Sequence, residues 1–244
     1  MAGTSSASPS SSDGRSSATS ASRPRKPRDS LNRSVIVEAA ILIVERDGLD
    51  ALTFQALGNE LGAHATSMYR HFRDKDELLL EVIDSLRERS YGGALVSTGD
   101  WREDLRLQAS HIREHYLRYA PFAHQMSVRS THRKIEFSNL EFTLNALDRA
   151  GLSPDEAVVY TRLLGNYIRS MASFEASVQG LEPDLRAKDR VQTQIDAMSL
   201  DPAEFPHLAG AATSLLALDD PRVFGVGLEA ILDAIAAVGE GHRA

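Results

Sequence analysis

The sequence predicts an all-α fold, in which a small helical module precedes a larger helical domain. From Ser30 onward, apolar residues recur with the period of an α-helix. No segment shows the apolar–polar alternation of a β-strand, and no internal repeat is found. Capping residues and glycines lie at the ends of the periodic segments, where helices begin and end. With 244 residues and 42% apolar side chains, the chain is long enough to bury a core.

Residues 1–29 are expected to form a disordered basic tail ahead of the fold. They are rich in Ser, Ala and Pro, and such a segment buries too little apolar surface to offset the entropy of ordering. The end of the tail, from Arg23 to Arg28, reads RPRKPR. This arm either follows DNA phosphates or only keeps the chain soluble, and both interpretations stay open.

Residues 30–77 predict three short helices and the start of a fourth. The first helix ends at Gly48 and has an apolar stripe made of Ile36, Ala39, Ala40, Ile43 and Val44. Thr53 is placed to cap the second helix, which Gly62 ends after two turns. The third helix is expected to reach about Phe72. Short helices joined by a Gly turn are typical of a helix-turn-helix module.

Residues 78–244 predict a larger domain of longer helices. The candidate segments are residues 101–119, 122–130, 135–150, 153–179, 185–198 and 221–238. The fourth is the best specified, because Ser153 and Glu156 form a capping box and Pro154 takes the first helical position. Gly239 is expected to end the last helix.

The charge distribution indicates a local anionic partner for an otherwise acidic chain. The net charge of −7 comes from residues 78–244, because residues 1–77 hold ten basic and ten acidic side chains. Within that neutral part, positive charge lies in the tail and in GAHATSMYRHFRDK, residues 62–75. A phosphate-binding surface has this appearance in an acidic protein.

Composition excludes several other classes of protein. The chain has no cysteine, which excludes disulfides, thiolate catalysis and Cys-based zinc sites. No apolar run approaches the roughly 20 residues of a membrane span, and the N-terminus lacks the apolar core of a signal peptide. We therefore expect a cytoplasmic protein with no membrane partner, no cofactor and no metal site.

Residues 39–84 contain several family motifs at consistent spacing. These are a Leu57…Leu61-Gly62 second helix, a Tyr69-x-His71-Phe72 stretch and a Lys75-x-x-Leu78-Leu79 opening of the fourth helix. Together they resemble the N-terminal domain of TetR/AcrR-type transcriptional regulators. Two later stretches, ALDRAGLSPDEAVVYTRLLGNY and FGVGLEAILDAI, look like the tetracycline-repressor-like C-terminal domain of that family.

The resemblance implies a helix-turn-helix DNA-binding domain at residues 30–77 and a ligand-binding and dimerisation domain at residues 78–244. In such proteins the third helix enters the major groove of double-stranded DNA. The base-reading positions implied by the resemblance are His64, Ala65, Thr66 and Ser67. The implied phosphate contacts are Tyr69, His71 and Lys75, with Thr53 and Gln55 approaching the backbone from the second helix. His64 departs from the small capping residue that is common at its position.

Helical spacing supports part of this assignment without the family. Met68 and Phe72 lie four residues apart on one face, which predicts that they are core residues. Tyr69 lies on the other, polar face, where its ring is either half-buried or donates its hydroxyl to a phosphate. For Arg70 and Arg73, a solvated surface charge is an almost equally good interpretation.

Helices 153–179 and 221–238 have wide apolar faces. On the second, a stripe is formed by Phe224, Leu228, Ile231, Leu232 and Ile235, and Gly225 and Gly227 permit close approach. Such faces either complete the core of the chain or, as the resemblance implies, form a four-helix homodimer interface. A twofold dimer would present two recognition helices to adjacent half-sites.

Polar and aromatic residues inside otherwise apolar helices are the candidates for an effector site: His111, His115, Phe137, Asn166, Tyr167 and Phe174. The stretch HIREH, residues 111–115, also fits the H-x-x-E-H pattern of metalloproteases, with Glu114 as the base. No other part of such a zinc site follows in the sequence. A helical metal-dependent hydrolase is thus the weaker alternative.

The sequence therefore predicts a transcriptional regulator and not an enzyme. Repression is the expected direction of control, although the sequence does not decide between repression and activation. The protein is expected to bind a palindromic operator as a homodimer and to be released by a small-molecule effector. The sequence identifies neither the effector nor the operator.

Overall fold

The computed structural model describes residues 31–217 and 220–242, which fold as α-helices, turns and loops without a β-strand. The N-terminal helices are α1 (Arg33–Asp47), α2 (Phe54–Leu61), α3 (Ala65–Met68) and α4 (Lys75–Tyr91). The C-terminal helices are α5 (Trp101–Arg118), α6 (Ala123–Val128), α7 (Lys134–Ala150), α8 (Pro154–Gln179), α9 (Pro183–Met198), α10 (Pro206–Leu216) and α11 (Asp220–Gly241). The all-α prediction is confirmed, whereas the predicted tail at residues 1–29 lies outside the described residues.

Local signals set the ends of α1 and α2 as the sequence predicts. Gly48 follows α1 with a φ of 85°, a conformation that favours glycine. The Thr53 hydroxyl accepts a hydrogen bond from the backbone N–H of Ala56 at 3.0 Å and caps α2. Gly62 ends α2 in the left-handed conformation, with a φ of 63°.

The third helix is shorter than the sequence predicts. Helix α3 ends at Met68, and the chain reaches Phe72 through a turn in which the N–H groups of His71 and Phe72 both donate to the Met68 carbonyl at 2.9 Å. Met68 and Phe72 are buried, which confirms that they are core residues. The side chains of Tyr69, Arg70 and His71, which lie between these two core residues, are therefore carried by the turn that extends α3.

Helix α4 connects the two parts of the chain. Asp74 caps it by accepting from the Glu77 N–H at 2.8 Å. Its buried residues join the core of α1 to α3, and that cluster continues into the second domain through Tyr116, Phe122 and Met126. The predicted domain boundary at residue 77 thus lies within one continuous helix. A displacement of α4 would change contacts in both parts of the chain.

A second core cluster holds the C-terminal domain together. It is formed by apolar residues of α5, α7, α8 and α11. The capping box at Ser153 and Glu156 is present at the start of α8, as predicted. The prediction that Gly239 ends the last helix is wrong. Helix α11 continues past Gly239, which is buried where α11 meets the end of α7. A Cβ at this position would lie 2.0 Å from the Ala150 carbonyl oxygen, so only glycine permits this close approach.

Helices α9 and α10 pack on each other and expose much of their apolar surface. The sequence predicts α9 from residue 185, whereas it begins at Pro183, and it does not predict α10. The exposed large apolar residues of this pair include Leu185, Val191, Ile195, Met198, Leu208 and Leu215. No helix within the described ranges is long and apolar enough to cross a bilayer.

Candidate nucleic-acid interface and effector cavity

The start of α2 presents two of the predicted DNA-contacting residues. Thr53 is exposed, and its hydroxyl caps the helix. Gln55 is exposed and donates to the Asn59 side-chain oxygen at 3.2 Å along the same face. The first N–H groups of this helix lie beside Thr53, where a helix N-terminus favours an anion.

We call residues 64–72, which comprise α3 with its N-cap and the turn that extends it, the recognition turn. Tyr69 is exposed on this segment, with 61% of its surface accessible. Its ring packs edge-on against Phe54, with the two ring centroids 4.8 Å apart. The ring is thus held by α2 while the side chain stays largely in solvent. This combination agrees with a hydroxyl that donates to a phosphate and argues against a half-buried ring.

The four predicted base-reading residues lie at the start of the recognition turn. His64 takes the N-cap position of α3, but its side chain makes no capping bond. His64 and Thr66 are exposed, whereas Ala65 and Ser67 are half-buried. Close packing fixes this turn on α2, because a Cβ added to Gly58 would lie 2.7 Å from the Ala63 carbonyl oxygen.

The remaining predicted contacts lie at the end of the turn and the start of α4. His71 is half-buried, and its carbonyl accepts from the Arg33 guanidinium at 2.5 Å. Lys75 is exposed, and its Nζ donates to the Leu49 carbonyl at 3.3 Å. Arg73 is paired with Asp74 at 2.8 Å, so its charge is partly neutralised within the chain.

A cavity of about 110 Å³ lies in the second domain between α4, α5, α7 and α8. Its polar wall includes Arg87 from α4, Glu136 from α7 and Arg169 from α8. Its apolar wall includes Ile112, Leu140, Leu164 and Ile168. Because α4 begins at Lys75, one of the predicted DNA contacts, a ligand in this cavity would contact the same helix.

Two hydroxyl groups on the cavity wall have no hydrogen-bond partner within the described part of the chain. They are Tyr116 Oη and Thr161 Oγ1, both buried atoms. Burial raises the pKa of Tyr116, and the positive charges of Arg87 and Arg169 partly oppose that rise. Burial likewise raises the pKa of Tyr91, on the same wall, to about 12. These phenols are therefore neutral hydrogen-bond donors near pH 7.

The structure places none of the six predicted effector residues on the wall of this cavity. Phe137 and Phe174 are exposed, and Asn166 is an exposed partner of Arg169. The Tyr167 hydroxyl donates to the Phe224 carbonyl at 2.7 Å and so holds α11 against α8. A Cβ at Gly227 would lie 2.2 Å from this hydroxyl, which explains that glycine.

His111 and His115 line a second, separate pocket together with Ser90, Glu114 and Arg118. His115 is 1% exposed, and its Nδ1 lies 2.7 Å from the Ser90 hydroxyl. Burial lowers the pKa of His115 to about 3. Across the described ranges, no three His, Cys, Asp or Glu side chains are grouped to hold a metal ion. This geometry gives no support to the hydrolase alternative.

The sequence alone misses the arginines of the cavity, although one signal was present. Arg87 lies four residues after Ile83, on the buried face of α4 that also carries Leu79. A charged side chain at a core position of an amphipathic helix indicates a buried polar site. For Arg169 the sequence offers no comparable signal.

The outward faces of α8 and α11 carry exposed apolar side chains. On α8 these are Val158, Val159, Leu163 and Phe174. On α11 the stripe predicted from the sequence is largely buried within the chain, because Phe224, Leu228, Leu232 and Ile235 belong to the core. The opposite face exposes Val226 and small alanines at residues 230, 234 and 237.

Comparison with known proteins places the chain in a family. Residues 36–82 match the family described as bacterial regulatory proteins, tetR family. Residues 95–238, more than half of the chain, match the tetracyclin repressor-like, C-terminal domain. The chain belongs to the TetR family of transcriptional regulators, whose members are not enzymes.

Similar proteins include named repressors from Mycobacterium and Streptomyces. The HTH-type transcriptional repressor Rv1353c of Mycobacterium tuberculosis is 27% identical over 223 residues, covering 86% of this chain and 82% of its own. The repressor DrrR1 of Streptomyces coeruleorubidus is 26% identical over 215 residues, covering 86% and 79%. Streptomyces coelicolor ActR in complex with actinorhodin has a TM-score of 0.75 and 28% identity, covering 85% of this chain and 96% of its own.

Proposed function

We propose that this regulator is a dimeric repressor that binds a palindromic operator and releases it when a small molecule enters the cavity between α4, α5, α7 and α8. The observation that carries the proposal is the position of α4. Its first residue, Lys75, lies at the predicted DNA surface, and its buried Arg87 lines the cavity. A ligand that displaces α4 therefore acts on both ends of one rigid element.

The DNA-binding part of the proposal rests on exposed and half-buried residues between Thr53, the N-cap of α2, and Lys75, the first residue of α4. Thr53, Gln55, Tyr69, His71 and Lys75 are proposed to hold the phosphates. The residues His64, Ala65, Thr66 and Ser67 are proposed to read the bases. The named repressor function of Rv1353c and DrrR1 supports repression as the direction of control.

The dimer part rests on the outward faces of α8 and α11. Apolar side chains are exposed there next to small residues that permit close helix packing, which is typical of an interface between copies of one chain. Such a four-helix contact would fix the distance between two recognition turns. The two helices, residues 153–179 and 221–238, are therefore proposed to form the homodimer.

The ligand part is supported by the solved complex of ActR with actinorhodin, a relative with the same fold. By linkage, an effector can lower operator affinity only as much as the operator lowers effector affinity. This reciprocity gives the proposal a quantitative test.

The central experiment selects an operator from random DNA duplexes and measures its binding by fluorescence anisotropy at fixed salt. We expect a palindromic site bound by two chains, with weaker binding when the effector is present. Sequence-independent binding, or binding by one chain, would contradict the proposal.

A matched pair of variants tests the dimer. Val226→Glu places a charge on the outward face of α11, whereas Val96→Glu places one at an equally exposed valine elsewhere; the two residues are 65% and 68% exposed. We expect sedimentation equilibrium to show monomers for Val226→Glu only, together with loss of operator binding. If the two variants had the same oligomeric state and the same operator affinity, the outward face of α11 would not be the dimer interface.

A further inference from the structure

The wall of the cavity carries more positive than negative charge. Arg87 and Arg169 lie on it with one carboxylate, that of Glu136. Arg87 is 8% exposed, and within the described residues its hydrogen-bond partner is the Thr131 hydroxyl at 3.3 Å. A buried guanidinium group with five N–H donors requires a close acceptor to offset its desolvation.

Glu136 is largely committed to other partners. Its carboxylate accepts from the backbone N–H groups of Thr131 at 2.8 Å and His132 at 2.9 Å, and from the Ser130 hydroxyl. Its nearest oxygen lies 3.8 Å from Arg87 Nη1, beyond hydrogen-bond distance. Glu136 thus holds the turn before α7 and neutralises Arg87 only in part.

The second guanidinium group lies against the backbone of α8. A Cβ added to Gly165 would be 3.0 Å from Arg169 Nη1, so the absence of a side chain at Gly165 leaves room for this group on the cavity wall. Its Nη2 donates to the Asn166 side chain at 3.1 Å. This hydrogen bond uses one of the five N–H donors of Arg169, whose side chain lines the cavity.

The unpartnered hydroxyl of Tyr116 lies in the same space as the two cations. The side chain is 3% exposed, and the charges of both Arg87 and Arg169 act on its phenol. Two cations and a neutral O–H donor around one cavity form a site for an oxyanion. Unpartnered Thr161 Oγ1 adds a second hydroxyl to the wall.

Ile112, Leu140, Leu164 and Ile168 form an apolar part of the wall. The polar Gln108 and Thr143, also on the wall, hydrogen-bond to each other at 2.8 Å. The cavity is partly open to solvent, and its space of about 110 Å³ is comparable to an engineered cavity of about 150 Å³ that accommodates benzene, so it can hold a ring next to the two guanidinium groups. We propose that the effector is a small amphipathic carboxylic acid whose carboxylate binds Arg87 and Arg169, with Tyr116 as a further donor. This inference rests on the proposed ligand-responsive function.

Calorimetry on the full chain at pH 7 with 3-hydroxybenzoate and 3-hydroxybenzamide tests the ligand class. The two probes share the ring and the hydroxyl and differ in charge. Because hydrogen bonds to charged groups stabilise more than neutral ones, we expect the acid to bind about tenfold or more tightly than the amide. Arg87→Gln and Arg169→Gln should each remove most of this preference. Arg186→Gln, at a half-buried position on α9 that is not part of the cavity wall, should keep it.

Circular dichroism establishes that each variant is folded, and Arg87→Lys retains the charge if Arg87→Gln does not fold. Equal binding of acid and amide would overturn the proposal. The proposal would also be overturned if Arg87→Gln and Arg169→Gln both left 3-hydroxybenzoate binding unchanged, or if 3-hydroxybenzoate did not bind at millimolar concentration. Anisotropy with operator DNA is measured separately. Acid that binds through the arginines without changing operator affinity would contradict the regulatory function and leave the ligand class standing.

Discussion

The Arg33 guanidinium donates to the backbone carbonyl of His71 at 2.5 Å and thereby joins the start of α1 to the end of the recognition turn. The same group donates to Glu77 at 3.0 Å and Glu81 at 2.8 Å on α4, and lies 4.1 Å from the centroid of the Phe72 ring. One side chain thus fixes the recognition turn relative to α4. Glu81 also accepts from Arg133 at 2.7 Å, so the contact continues to the residues before α7.

We expect Arg33→Gln to weaken operator binding several-fold and to lower the free energy of unfolding by about 1 kcal/mol, since the side chain is 40% exposed and its ion pairs are screened. Arg46→Gln is the control, because Arg46 lies on the same helix and pairs with Asp47 and Glu60 at the surface. Urea unfolding and anisotropy measure both quantities. Equal losses of operator affinity in the two variants would show that the His71 contact does not position the turn.

Gly58 is required where α2 approaches the recognition turn. A Cβ there would lie 2.7 Å from the Ala63 carbonyl oxygen and 3.1 Å from the Ala65 nitrogen, both backbone atoms. Because the backbone must move, we expect Gly58→Ala to cost about 1–3 kcal/mol of stability and to impair operator binding. Gly210→Ala, a helical position with nothing within 4 Å, should be neutral or stabilise by about 0.5–1 kcal/mol. A stable Gly58→Ala variant with normal operator affinity would contradict this packing argument.

How much of the fold follows from the sequence depends on whether the signal is local. Gly48, Thr53, Gly62 and the Ser153 capping box act within one helical turn, and the structure has each of them as predicted. The predicted helix end at Gly239 is wrong because the requirement for glycine there comes from a tertiary contact. Gly239 is small to let α11 approach Ala150, which no pattern within α11 shows.

The cavity could not be predicted for a similar reason. Choosing polar and aromatic residues in apolar helices selects Tyr167, whose hydroxyl is used to hold α11, and exposed residues such as Phe137. The same criterion passes over Arg87 and Arg169, because arginine on a helix is usually a solvated residue. Only the packing of four helices shows that these guanidinium groups line one space.

The Tyr69 hydroxyl can be removed without disturbing its ring. The ring packs on Phe54 and a phenylalanine keeps that contact, so Tyr69→Phe should leave stability unchanged. If the hydroxyl donates to a phosphate, affinity falls to a similar extent for specific and unrelated duplexes. Anisotropy with both duplexes measures this. Unchanged affinity for both duplexes would mean that Tyr69 only packs against Phe54 and does not contact a phosphate.

Lys75 offers a test of phosphate contact through salt dependence. Its Nζ donates to the Leu49 carbonyl, a contact at the protein surface that leaves the ammonium charge exposed. We expect Lys75→Ala to lower affinity for all sequences and to reduce the slope of log affinity against log salt by about one. An unchanged slope with lower affinity would assign Lys75 to holding the Leu49 turn instead.

Changes at the base-reading positions should have a different signature. Thr66 is exposed at the start of the recognition turn, and Ser67 is half-buried beside it. Thr66→Ala and Ser67→Ala should alter which base is preferred at one position of each half-site, by about 1–3 kcal/mol, while binding to unrelated DNA stays the same. Repeating the operator selection with each variant measures the preference. The same consensus from all three proteins would exclude these residues as readers.

Acid sensitivity should arise from His115. Burial lowers its pKa in the folded chain to about 3, from an ordinary value of 6.5, so the unfolded chain binds a proton that the folded chain does not. Stability from the neutral imidazole is complete above about pH 6.5 and is lost as the pH falls toward 3. The free energy of unfolding should begin to decline near pH 6.5, and the slope should approach about 1.4 kcal/mol per pH unit about one unit lower.

Urea unfolding between pH 7 and pH 5 isolates this effect. Hydrogen bonds from Ser97, Thr98 and Arg149 outweigh burial and lower the pKa of Asp104 to about 2, so that carboxylate titrates at lower pH. In His115→Gln, the slope of the unfolding free energy against pH should decrease by the amount that corresponds to about one proton. His124→Gln, at an exposed site on α6, should leave that slope unchanged. An equally steep decline in His115→Gln would mean that another group takes up the proton. The neutral state of His115, among Tyr91, Tyr116 and Tyr119, would then not limit stability in acid.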